Sequence, residues 1–148
     1  MKICKSTAVF VVLVFSGVVA TPVVAQDSRY DFGNIWYVSG LDVLDGQFEN
    51  YTAWLADEWV KFRKLNATHG NEVGYHVLLN TNPRKGEPDL YLVTINKDFL
   101  KIAEGLALEK TVNEAMARGR RTFEKESAAR APMREVLSSI ELMELKLK

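Results

Sequence analysis

Four stretches of this chain carry apolar side chains at successive positions, so the strands they form are greasy above and below, and only two helical regions exist to cover them. From Asn34 to Val43 the residues Ile35, Trp36, Tyr37, Val38, Leu41 and Val43 leave little polar relief, as in a strand covered on both faces. Glu72 to Leu79 and Asp89 to Ile95 read as two further strands joined by the turn-rich segment from Asn80 to Pro88. Val136 to Leu147 closes the chain as a fourth, with Val136, Ser138, Ile140 and Leu142 on one side and Leu137, Met143 and Leu145 on the other. Between the first two strands, Phe48, Tyr51, Leu55, Trp59 and Phe62 recur at three- and four-residue steps and predict a helix from Gln47 to about Thr68. Asp45 is placed to accept its free N–H groups, and Gly70 to stop it in the left-handed conformation. A short helix from Phe99 to Ala107, bending at Gly105, leads into a longer one marked by Leu108, Val112, Ala115, Met116 and Phe123.

The resulting order, β-α-β-β-α-β, is that of an α+β ferredoxin-like domain, a four-stranded antiparallel sheet with both helices on one face. Trp36, Val38, Tyr75, Val77, Leu90, Tyr91, Leu92 and Val93 nevertheless put apolar groups on both faces. The uncovered face needs a partner, and a second copy is the simplest, because large exposed apolar patches mark interaction surfaces and like chains associate with two-fold symmetry.

The first 25 residues have the layout of a secretory signal: Lys2 and Lys5, then an apolar core from Ala8 to Val19, then Val23-Val24-Ala25 as a small-residue cleavage site. That core is shorter than the roughly 20 residues a spanning helix needs. The expected organisation is a signal peptide over 1–25 cleaved after Ala25, a polar leader in coil over 26–33 and one domain over 34–148, in a secreted or periplasmic protein. Cys4, the single cysteine, leaves with the signal, so stability has to come from packing rather than disulfides. Loss of Lys2 and Lys5 leaves 17 Lys and Arg against 19 Asp and Glu, a balance that favours neither nucleic acid nor, after cleavage, an anionic membrane.

The first strand running into Leu44-Asp45-Gly46-Gln47-Phe48, the helical segment Tyr51-Thr52-Ala53-Trp54-Leu55 through Trp59, and the stretch from Arg134 to Leu142 resemble the dimeric α+β barrel superfamily. That superfamily includes antibiotic-biosynthesis monooxygenases, NIPSNAP-type proteins and small secreted bacterial proteins. The resemblance implies two sheets packed into a barrel, with any small ligand held between sheet and helices or inside the barrel. The two-sided sheet and the number of aromatic rings favour a secreted or periplasmic homodimeric binding protein for a small hydrophobic ligand. Its alternatives are a cofactor-independent monooxygenase-like or haem-degrading enzyme, and a non-catalytic structural subunit of a larger assembly.

Candidate site residues follow from side-chain chemistry. Trp36, Tyr37, Tyr75 and Tyr91 lie on expected strands, where rings can line a pocket for a planar molecule or serve as core. His76 is the one strand side chain suited to carry a proton, and so the candidate for catalysis as well as binding. Its alternate neighbours Gly74 and Leu78 offer no second ligand, and it shares no metal-binding spacing with His69, so no metal or cofactor is expected. Arg118, Arg120, Arg121, Arg130 and Arg134 concentrate charge around the end of the last helical region. With Glu114, Glu124 and Glu126 nearby they read as a solvated face rather than an anion site.

Overall fold

Two fourteen-residue strands, β1 (Tyr30–Val43) and β4 (Arg134–Leu147), pair antiparallel along most of their length in the computed structural model, which describes residues 28–148. The expected signal segment and the cleavage point after Ala25 lie outside the described residues. With β2 (Glu72–Leu79) and β3 (Leu90–Asn96) they form one sheet in the order β2-β3-β1-β4, every neighbouring pair antiparallel. The fold is α+β with a four-stranded antiparallel sheet.

β1 starts four residues earlier than its apolar run suggests. Part of the expected coil leader is strand, because β4 reaches Leu147 and offers partners as far as Tyr30↔Leu147 and Phe32↔Leu145. The register then slips between Phe32 and Ile35, where the Asn34 N–H donates to Glu144 Oε2 at 3.0 Å. Gly33 belongs there, since a Cβ would fall on the Glu144 carboxylate.

A second slip, between Gly40 and Leu41, corrects the expected sides of β4. Val136 lies opposite Leu41 and Ser138 opposite Gly40, so Leu137 is the extra residue of a bulge. Val136 therefore shares a face with Leu41, while Ser138, Ile140 and Leu142 share the other with Gly40, Val38 and Trp36.

The helix between β1 and β2 runs as one rod with a change of winding: α1 (Phe48–Trp54), a π turn (Leu55–Trp59) and α2 (Val60–Thr68). Tyr51, Leu55 and Trp59 are separated by two successive four-residue steps, each of which over-rotates an α-helix by about 40°. The wider π turn takes up that drift and keeps all three rings and branches toward the sheet. Gln47 rather than Asp45 stands at the N-cap, without a side-chain cap bond. Gly70, at φ +89°, ends the rod as expected. The core is Leu41 and Leu90 from the sheet with Tyr51 and Leu55 from the rod, and Val43, Trp54, Trp59, Leu92 and Met133 pack around it.

The second helical region breaks elsewhere than at Gly105, which lies inside α3 (Ile102–Ala115). The break is at Ala117, held at φ +53°, before α4 (Arg120–Ala129). Its consequence is to swing Arg118 out of both helices and toward the rod.

Candidate functional site

Cross-strand partners share a face, so Ser39, Leu41, Leu90, Leu92 and Val136 all point to the side on which the rod lies. Between them and the helices is a cavity of about 240 Å³. Its floor is Ser39, Leu41, Leu92 and Val136. One wall is aromatic, made by Tyr51, Trp54, Trp59 and Phe62 along the rod and its π turn. Single π turns inside α-helices recur at functional sites, because they re-aim side chains that a regular helix would spread.

The rings are fixed by contact. Tyr51, fully buried, stacks on Trp54 at 5.8 Å between centroids, and Tyr75 props Trp59 edge-on at 5.4 Å. Arg63 lies over Phe62 at 4.5 Å and over Trp59 at 5.6 Å. Its Nη1 donates to Glu72 Oε2 at 3.1 Å, closing one end of the cavity with a buried ion pair. Burial holds the Glu72 carboxyl at about 7, although Arg63 pulls it down, and burial likewise lowers the Arg63 guanidinium despite the attraction of Glu72.

The opposite wall is charged. Arg118 bonds to Glu58 on the π turn and, at 3.3 Å, to Glu126 of α4. Arg130 sits 4.4 Å over the Trp54 ring and gives Nη1 to the Glu126 carbonyl at 2.9 Å. Arg134, the first residue of β4, lies 5.8 Å from the Tyr51 ring. The Nε atoms of Arg130 and Arg134 are buried without a hydrogen-bond partner, and the buried Tyr51 O–H, which faces the Arg134 guanidinium, has no acceptor. Burial, and then the charge of Arg134, lowers the Arg130 guanidinium from its ordinary value. Burial raises the Tyr51 hydroxyl, against the pull of Arg134 and Arg130.

The solvated-face expectation is corrected for three of the five arginines. Arg118, Arg130 and Arg134 are part of the cavity wall, while Arg121 is exposed. The physical reason is in the backbone: the break at Ala117 turns Arg118 inward, and the tight turn after α4 brings Arg130 and Arg134 side by side. Glu114 pairs with Lys110 at 3.9 Å on the surface, and Glu126 turns in to Arg118.

None of the five side chains singled out from the sequence lines this cavity. Tyr37 and Tyr75 are on its side of the sheet. Burial raises the Tyr37 hydroxyl, and Glu141 across the strand adds to that. Trp36, His76 and Tyr91 are on the other face, where Trp36 and His76 stack at 6.2 Å and His76 is exposed. His76 is thus separated from the cavity by the sheet itself.

Comparison with protein families, curated proteins and solved structures returned no match to this chain. The geometry alone therefore carries the functional reading.

Chemically the cavity can hold a flat apolar body against rings and offer it guanidinium and phenol donors at one end. The sequence pattern marked Tyr51, Trp54, Trp59 and Phe62 only as a helical stripe, and a stripe of that kind is ordinarily core. The unread signal was the run of two four-residue steps, which a straight α-helix cannot keep on one line.

Proposed function

We propose that this chain is a small-ligand-binding protein, working as a secreted or periplasmic homodimer, whose ligand occupies the cavity between sheet and rod. One observation carries the reading: about 240 Å³ stands open where the sheet and its helix would otherwise pack best. A recess of this size, partly open to solvent and lined by four aromatic side chains with convergent polar groups, has the make-up of a small-molecule site. An apolar cavity of about 150 Å³ accepts benzene, so this one has room for one or two fused rings.

The strand order β2-β3-β1-β4 supports the ferredoxin-like reading. The bare face of the sheet supports the dimer: Leu78, Ile140 and Leu142 are 46–50% exposed there. Pairing two such faces about a two-fold axis gives the dimeric α+β barrel, with Trp36, His76 and Tyr91 at the contact between copies. The basic and apolar order of the first 25 residues supports export.

Thermal shift and native mass spectrometry with a panel of one- and two-ring compounds test the binding role. A raised melting temperature and a one-to-one mass adduct are expected for at least one member. Bare protein throughout, with no shift, contradicts it.

A further inference from the structure

Four guanidiniums line the cavity, those of Arg63, Arg118, Arg130 and Arg134, with two carboxylates, those of Glu58 and Glu126, and Arg63 is paired with Glu72 at one end. Both carboxylates are committed to Arg118. Among the described residues Arg130 and Arg134 have no carboxylate partner, although Arg130 is only 9% exposed and neighbours Arg134. Burying a charge without a partner costs several kcal/mol, and buried polar groups are as a rule hydrogen-bonded. Four lining donors fail that rule, Arg63 Nε at the Glu72 end and, gathered around Tyr51 and Trp54, Arg130 Nε, Arg134 Nε and the Tyr51 hydroxyl.

We propose that the cavity's ligand is a small aromatic carboxylate, its carboxylate received by Arg130, Arg134 and the Tyr51 hydroxyl and its ring system lying against Trp54 and Trp59. The inference rests on the ligand-binding reading above and adds the charge of the ligand to it. With Arg63 balanced by an ionised Glu72, three positive groups face two negative ones and leave one unit of charge to neutralise, which one carboxylate does. A phosphate monoester dianion would overshoot it. Guanidinium forks match the two oxygens of a carboxylate in one plane, and the remaining lone pairs suit a phenol donor. Arg118, already held by Glu58 and Glu126, fixes the far wall rather than meeting the ligand.

Calorimetry on the purified protein with three probes of one shape tests this: 1-naphthoate, the neutral 1-naphthalenemethanol and dianionic 1-naphthyl phosphate. The carboxylate should bind about tenfold or more tightly than either relative. Arg134→Gln should weaken the carboxylate far more than the alcohol and so remove that preference, and Arg134→Lys should keep it only in part, because an ammonium lacks the fork. Equal binding of carboxylate and alcohol to the unaltered protein overturns the carboxylate inference and leaves the ligand-binding reading intact. Tighter binding of the phosphate overturns the charge count. Absence of binding by all three overturns the carboxylate inference, and the wider panel of one- and two-ring compounds then decides whether the ligand-binding reading falls with it. The three-probe comparison needs no variant, so it stands even where a substitution fails to fold.

Discussion

On the helix side of the sheet Leu41, Leu90 and Leu92 are covered by the rod, and four arginines and three glutamates are drawn in beside them. On the other side Leu78, Ile140 and Leu142 are as apolar but stay about half-exposed, and no described ion pair joins the strands there. The covered face has thus accepted costly buried charge around an open space. The bare face has accepted exposed hydrophobic area instead. Folding alone explains neither: a stability-driven design would fill the cavity and make the bare face polar. The difference fits the two tasks proposed above, recognition of a ligand on one face and of another copy on the other.

The comparison breaks most easily at the core under the cavity. Leu41→Ala removes a side chain that is 2% exposed and widens an existing void, so it should cost about 3 kcal/mol in chemical denaturation. Leu142→Ala, half-exposed, should cost less than about 0.5 kcal/mol when unfolding is followed at concentrations where the chain is monomeric. Equal costs would mean that the bare face is as structural as the covered one.

A smaller effect isolates the charge buried on the covered side. The folded chain keeps a proton on Glu72 up to about 7, whereas the unfolded chain releases it near 4.5. Between those values the folded state binds more protons, so stability falls as pH rises through this window and is level above it. The loss should be on the order of 3 kcal/mol, and Glu72→Gln should flatten that part of the stability curve. An unchanged slope in the variant would assign the pH dependence to another group.

The bare face is read by association rather than stability. Ile140→Lys together with Leu142→Lys should convert the proposed dimer to monomer in sedimentation velocity, while shifting the monomer's unfolding by no more than about 0.5 kcal/mol per site. A dimer that survives both charges would have to be built through another surface.

Much of this organisation was legible in the residues, and the failures have physical causes. β2 runs from Glu72 to Leu79 as its β-branched and apolar run predicts, and the rod ends at Gly70 because a left-handed stop needs no tertiary information. The bulge at Leu137 was hidden, since the alternation of Val136, Ser138, Ile140 and Leu142 looks regular until a partner strand imposes its register. The break at Ala117 was hidden for a related reason: Gly105 is the better helix breaker, yet it stays helical and an alanine takes the positive φ. The cavity depended on both hidden features. The bulge puts Val136 in its floor and the break puts Arg118 in its wall, while Arg130 and Arg134 meet through a turn that local charge patterning does not describe.

The three tryptophans divide between the two faces, Trp54 and Trp59 at the cavity and Trp36 on the bare side. Their indole N–H signals in a nitrogen-15 NMR spectrum, followed while 1-naphthoate is added, are therefore the most direct test of where the ligand goes. Trp54 and Trp59 should shift with a common binding curve while Trp36 stays in place. Movement of Trp36 alone would put the ligand on the opposite face and contradict the division of labour between them.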